Sequence, residues 1–296
     1  MGSFLTPPVG GPARLRALLA RDEPLLVPGA YDALSARLVE AAGFDAAYMT
    51  GFGSTAGLLG MPDVGLLSGA EMVDNASRMV RAVDVPLISD ADTGYGNAIN
   101  VARTVQQFER AGVAGIHLED QLAPKRCGHM SGKQVVPTSE MVEKLAAAVA
   151  ARTDPDFVLI ARTDARAVEG LDAALERAGA YLEAGADVLF VEAPESEAEV
   201  EAVAQAFPGT PLLFNWVERG RTPMLSVERI GELGFALVLF PVATLFSATT
   251  GMQRYLAQLR ATGTPLGALD DAIGFDAFTD LVGLPEIRDF EAGLTA

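Results

Sequence analysis

Eight short apolar runs recur along the 296 residues, each ending in polar or glycine residues and followed by an amphipathic helical stretch. They read PLLVPGAYD from Pro24, DAAYMTG from Asp45, PLISDADTG from Pro86 and AGIHLEDQ from Ala114. FVLIARTDA from Phe157, DVLFVEAP from Asp187, PLLFNWVE from Pro211 and FALVLFPVAT from Phe235 complete the set. Good helix formers such as INVARTVQQFERAG lie between them, and the glycines of AAGFD, RAGVAG, EAGAD and ELGFA stand where a helix hands over to the next strand. Near-continuous apolar strands alternating with helices require a parallel sheet covered by helices. Eight units predict an α/β chain closed into a (β/α)8, or TIM, barrel of about 250 residues. No break in composition marks a second domain, so the expected organisation is a barrel over residues 1–262 and a helical tail over 263–296. Phe275, Phe278, Leu281, Leu284 and Phe290 in that tail need a partner surface, either this barrel or a neighbouring subunit.

A formal charge of −17 argues against a nucleic-acid partner, which needs a basic face. No stretch approaches the roughly 20 apolar residues of a membrane span. One cysteine excludes an intrachain disulfide and fits a reducing, cytoplasmic setting. Gly2 and Thr6 match a short acylation pattern, but the start is expected to be disordered, with a helix from Pro12 to Ala20.

Sites on such barrels form at the C-terminal ends of the strands. Those ends carry Tyr48 and Thr50, Asp90 and Asp92, Glu119 and Asp120, Arg162 and Asp164, Glu192, Asn215 and Glu218. Two connections are too long for simple turns. One runs from Gly51 to Glu71 and holds Asp63; the other follows the fourth strand and holds Lys125, Arg126, Cys127 and His129. Carboxylates converging on one mouth repel unless a cation lies between them, and a hard ion such as Mg²⁺ is the economical choice. Period-two spacing predicts that Asp90 and Asp92 face the same side of a strand, with Asp63 and Glu119 nearby. Asp45 and Asp187 read as solvated. Arg162 closes an apolar strand and reads as a fork for a substrate carboxylate, or as the partner of Glu192 or Asp164, and both can hold.

Both histidines and the only cysteine fall in HLEDQLAPKRCGHMSGK, from His117 to Lys133. A lone cysteine is usually a small buried hydrophobe. Here Lys125, Arg126 and His129 surround it, and such cations stabilise a thiolate. Gly128 and Gly132 suit a segment that folds over the mouth. A zinc site is disfavoured, because one cysteine and two histidines twelve residues apart space ligands poorly.

PKRCGH after HLEDQ, with DADTGYG upstream and ARTDA downstream, resembles the isocitrate lyase/phosphoenolpyruvate mutase superfamily. The resemblance runs from about Val27 to Thr262 and on into LVGLPE. It implies a barrel holding Mg²⁺, or Mn²⁺ in its place, and a homotetramer that exchanges C-terminal helices between subunits. Asp90 and Asp92 match its metal-site aspartates, and Asp63 and Glu119 match carboxylates that hold the metal's waters. Tyr48, Thr50, Gly51 and Phe52 match the segment cradling the substrate's α-oxyacid end. Gly128, Arg162, Glu192 and Asn215 match further substrate contacts, with Lys125, Cys127, His129 and Arg162 as the catalytic set. The cysteine resembles that of the C–C bond lyases, where it protonates the released carboxylate's enolate; the members that break P–C bonds lack KRCGH.

Two departures refine the expectation. Thr50 stands where many members carry Ser. Phe246 occupies what looks like the position of an arginine that binds the extra carboxylate of tricarboxylate substrates, and NWVERG differs from the sequence those enzymes carry. The implied reaction is Mg²⁺-dependent cleavage of a small 2-hydroxy-dicarboxylate, of alkylmalate or methylisocitrate type, to a 2-oxoacid and a carboxylic acid. An alkyl group would lie against Phe246, Phe52 or Trp216. The alternatives are oxaloacetate hydrolysis to oxalate and acetate, and a ligand-binding barrel that has lost catalysis. A phosphonate-cleaving enzyme is weaker, given Cys127.

Overall fold

The computed structural model describes all residues except Met1, Phe4, Pro7, 129–131, 270–271 and 295–296. All eight apolar runs form strands: β1 (Leu25–Ala30), β2 (Ala47–Met49), β3 (Leu87–Asp90), β4 (Gly115–Glu119), β5 (Val158–Thr163), β6 (Val188–Val191), β7 (Leu213–Asn215) and β8 (Leu237–Phe240). Every neighbouring pair is parallel, in the order β6-β5-β4-β3-β2-β1-β8-β7. A single bridge between Leu189 and Leu212 joins β6 to β7, so the barrel is nearly closed, with its weakest seam there.

Two apolar layers follow from the period of the strands. Val27, Tyr48, Ile88, Ile160, Phe190 and Leu239 point inward and fill the barrel. Alternate residues such as Met49, Leu87, Ile116, Leu159 and Val238 point outward against the helices. The N-terminal helix, Gly11–Leu19, does more than the sequence suggested. Its Leu15 and Leu18 join the inner layer and plug the bottom of the barrel. Gly115 makes room there: a Cβ on it would lie 2.8 Å from Val158 Cβ and 3.3 Å from Leu15 Cδ2.

Three expectations need correction. The chain start is not wholly loose, because Gly2 is buried against the backbone of Ala82 and Val83 and its carbonyl accepts from Arg37 at 3.3 Å. Asp187 is not simply solvated: Arg16 at 2.9 Å and Arg152 at 2.7 Å hold it, and it accepts from the Leu159 N–H. The connection after β2 is not one long loop. Thr50 caps a helix, Gly51–Leu59, that stops at Gly60 in the left-handed region (φ 64°). Asp45, by contrast, sits exposed beside Arg21, as expected of a surface pair.

The tail forms a short turn at Leu266–Ala268 and helices Phe275–Leu281 and Leu284–Leu294. Phe275 stays 82% exposed and Phe278 is exposed too, while Arg37 of the barrel donates to the Leu281 carbonyl at 3.3 Å. The preceding helix, Ala243–Thr262, adds exposed Met252, Tyr255 and Leu256. No helix among the described residues is long and apolar enough to cross a membrane.

Candidate active site

The strand ends open into a cavity of about 280 Å³. Tyr48, Thr50, Phe52, Asp63, Asp90, Glu119, Lys125, Cys127, Gly128, Arg162, Glu192, Asn215 and Phe246, all expected from the sequence, line it. His129 lies outside the described residues. Gly51 and Asp92 do not line it, but the backbone N–H of each holds Asp90. The Gly51 N–H donates to Asp90 Oδ2 at 3.2 Å, and the Asp92 N–H donates to Oδ1 at 2.9 Å. A side chain on Gly51 would collide with that carboxylate.

The period-two argument for Asp90 and Asp92 fails in detail. β3 ends at Asp90, and Asp92 turns into the left-handed region with φ 47°. Its side chain reaches Lys125 instead. The Lys125 ammonium is buried between Asp63 at 2.7 Å and Asp92 at 2.8 Å. Burial alone would lower its pKa, but the surrounding carboxylates raise it well above the usual lysine value, so it stays charged.

Glu119 and Asp120 diverge as alternate residues of an extended chain should. Glu119 faces the cavity with Oε2 3.3 Å from Arg162 Nε, while Oε1 is buried without a hydrogen-bond partner among the described residues. Asp120 turns away and accepts from Thr163 Oγ1, the Asp164 N–H and the Tyr181 hydroxyl. Asp164 accepts from Arg162 Nε at 2.9 Å and Nη2 at 3.2 Å, which settles the main partner of that guanidinium. Glu192 stands 3.8 Å off and accepts from Asn215 Nδ2 at 3.1 Å. The arginine also lies over the Phe190 ring, 5.0 Å from its centroid.

The carboxylates outnumber their cations. Burial, opposed by Lys125 and reinforced by Asp90 and Asp63, pushes Asp92 up to about 6. Burial with Asp164 and Asp90 pushes Glu119 well above the carboxylate range, against Arg162 and Lys125. Among the described residues no three Asp, Glu, His or Cys side chains converge into a direct ligand shell. The unpaired Glu119 oxygen and the excess of buried negative charge nevertheless suit a hard dication held by one or two carboxylates through waters. The residues present fit such an ion.

The sequence reading missed the inner face of the site. The Tyr48 hydroxyl and His117 Nε2 are 2.6 Å apart inside the barrel. Burial pushes His117 down to about 4 despite Asp90, so the ring is neutral. Alternation along β4 places His117 on the side of Glu119, and that is the signal in the sequence that finds it. Trp216 is another correction: its ring packs on Phe240 and its N–H donates to the Leu225 carbonyl, away from the cavity. Val217, Pro241 and Val242 form apolar wall instead, next to Phe246, which meets Phe52 edge to face at 6.2 Å.

Comparison with known proteins identifies the family. The family model described as phosphoenolpyruvate phosphomutase matches residues 15–260. A 2,3-dimethylmalate lyase from Eubacterium barkeri is 48% identical over 94% of this chain and 96% of its own. A probable 2-methylisocitrate lyase from Corynebacterium glutamicum is 48% identical over 86% of this chain and 83% of its own. A solved oxaloacetate acetylhydrolase, bound to 3,3-difluorooxalacetate, superposes with a TM-score of 0.91 at 41% identity over 98% of this chain and 99% of the other. With the family model spanning the whole barrel and these relatives covering nearly all of the chain, the protein belongs to the isocitrate lyase/phosphoenolpyruvate mutase superfamily, in its lyase branch.

Proposed function

We propose that the chain is a carbon–carbon lyase that cleaves a small 2-hydroxy-dicarboxylate of alkylmalate type to a 2-oxoacid and a carboxylic acid. One observation carries the reading: Cys127 shares a cavity with Arg162 and the carboxylate cluster, and the wall beside them is aromatic at Phe246 and Phe52. A cysteine, an arginine and an apolar wall suit protonation at carbon, a carboxylate and an alkyl group.

Asp90, Asp92, Asp63 and Glu119 would hold Mg²⁺, or Mn²⁺ in its place, which when bound acidifies the substrate hydroxyl and stabilises charge on the 2-oxoacid oxygens. A carboxylate of that cluster accepts the hydroxyl proton. As C2–C3 breaks, its electron pair moves into the departing fragment's carboxylate, and Arg162 stabilises the enolate dianion that results. The Cys127 thiol then gives its proton to C3. Lys125 keeps Asp63 and Asp92 together without mutual repulsion, and Tyr48 and Thr50 border the α-oxyacid end. Phe246, Phe52 and Val242 shield the alkyl group from water.

The same reading includes a cytoplasmic homotetramer without nucleic-acid partners, in which residues 263–296 pack on a neighbouring subunit. The exposed apolar face of the tail supports it. Oxaloacetate hydrolysis is the second reading, supported by the backbone match to an oxaloacetate acetylhydrolase. Proton NMR separates the two on a panel of oxaloacetate, 2-methylmalate, 2,3-dimethylmalate, 2-methylisocitrate and phosphonopyruvate, each with Mg²⁺ and with EDTA. Pyruvate from an alkylmalate, lost with EDTA, is the expected result. Oxalate and acetate from oxaloacetate alone would replace the first reading with the second.

A further inference from the structure

Gly128, next to the cysteine, donates nothing obvious to chemistry, yet its surroundings are crowded. A Cβ at Gly128 would collide with Glu192 and with the Arg162 guanidinium, so the loop backbone presses directly on the groups that face substrate. What holds it there is a lysine. The Lys133 ammonium donates to the Gly128 carbonyl at 2.5 Å and to Asp164 Oδ1 at 2.6 Å, and its side chain is 2% exposed. The same Asp164 oxygen accepts from Arg162 Nη2, while Oδ2 accepts from Arg162 Nε. One carboxylate therefore aims the guanidinium and, through Lys133, sets the carbonyl that follows Cys127.

The other side of the cysteine is fixed as well. Buried Gln121 clamps the backbone of Arg126 twice, accepting its N–H at 2.9 Å and donating to its carbonyl at 2.8 Å. The base of the loop is a short antiparallel ladder: the Leu122 N–H donates to Gln134, and the Val136 N–H donates to Asp120. Gln121 and the ladder fix the approach to Cys127, and Lys133 ties the residue after it to the barrel wall. A lysine ammonium with its several donors can serve a carbonyl and a carboxylate together. Asp164 pairs with the buried ammonium and offsets part of its desolvation.

We propose that Lys133 is a positioning residue: by bridging the Gly128 carbonyl to Asp164 it registers the Cys127 thiol against Arg162 and the departing fragment. The lysine is not among the residues that line the cavity and sits outside those that the superfamily resemblance assigns. Its effect on turnover rests on the lyase reading; its effect on the loop does not. Displacing a reacting group by about 1 Å costs on the order of 100-fold in rate, and an unbridged loop moves Cys127 by that much or more.

The test uses the full-length protein with Mg²⁺ and the Lys133→Met variant, which keeps the stem and removes the ammonium. Two quantities are read: the rate of Cys127 alkylation by iodoacetamide, and kcat and KM for 2,3-dimethylmalate cleavage. Cys127 is the only cysteine, so alkylation reports one site. The variant should alkylate on the order of tenfold faster and lose about 100-fold in kcat, with KM changed less than about threefold. Lys133→Gln, which retains one donor group, should fall between the variant and the parent in both. It also stands in if the methionine variant does not fold. Parent-like alkylation and kcat in whichever variant folds would overturn the proposal. A rise in KM with kcat and alkylation unchanged would also overturn it, because Lys133 would then serve only the grip of Arg162. If the parent itself cleaves none of the acids, the lyase reading fails while the alkylation comparison still decides the role of Lys133.

Discussion

Truncating the aromatic wall offers a quantitative handle on substrate choice. Phe246 projects from the first turn of the helix Ala243–Thr262, is 43% exposed and meets Phe52 edge to face. Its loss should therefore leave the fold intact and act on what the wall touches. A methyl taken out of water contributes about 0.8 kcal/mol. A substrate with two methyls against this wall gains at most about 1.6 kcal/mol, or roughly 15-fold in kcat/KM. Phe52, Val217 and Val242 remain in Phe246→Ala, so about half of that gain should be lost, a drop of roughly fourfold. The assay is kcat/KM for 2,3-dimethylmalate against unmethylated malate, measured in parent and variant. Discrimination should fall from at most roughly 15-fold in the parent to roughly fourfold in the variant, mostly through the methylated substrate. An equal loss on both substrates, or no loss, would refute the placement of the alkyl group.

Two further outcomes follow from the buried contacts. Leu15→Ala opens a void in the barrel plug against Gly115, so urea unfolding should show a loss of about 2–5 kcal/mol; a loss near zero would mean that the helix is dispensable. Asp164 is held well below the carboxylate range because Arg162 and Lys133 outweigh the opposing effect of burial. A depressed folded pKa means that the unfolded chain takes up the proton first, so this stability is present above about pH 4 and is lost as pH falls further. Asp164→Asn should be less stable at pH 7 and lose less stability between pH 5 and pH 3 than the parent; parallel curves would contradict the pairing.

The barrel could be read from the chain because one physical rule repeats eight times: apolar strand, polar end, amphipathic helix. Each run in fact became a strand, and Tyr48, Asp90, Glu119, Arg162 and Glu192 at or next to the strand ends line one cavity. Departures came where local geometry overrides periodicity. Asp92 leaves the strand through a left-handed turn, so its partner is Lys125 and not the face shared with Asp90. Trp216 looked like a cavity residue by its position after β7, but it pairs its N–H with Leu225 and packs on Phe240. Asp187 looked like surface because nothing in its own segment predicts Arg16 and Arg152, which come from far along the chain. Lys133 is the last residue of the cysteine stretch, yet its contacts with Gly128 and Asp164 depend on how the loop folds back. The resemblance to known lyases supplied roles that spacing alone left open, above all that of Cys127.

The most direct test follows 2,3-dimethylmalate with Mg²⁺ in D₂O by NMR, comparing the parent with Cys127→Ser. The parent should release pyruvate and propionate carrying one deuteron at C2, and EDTA should stop it. The serine variant should fold and bind metal but lose turnover by orders of magnitude. Near-normal turnover in the variant, or no cleavage by the parent while oxaloacetate yields oxalate and acetate, would contradict the assignment of Cys127 as the acid of a C–C lyase.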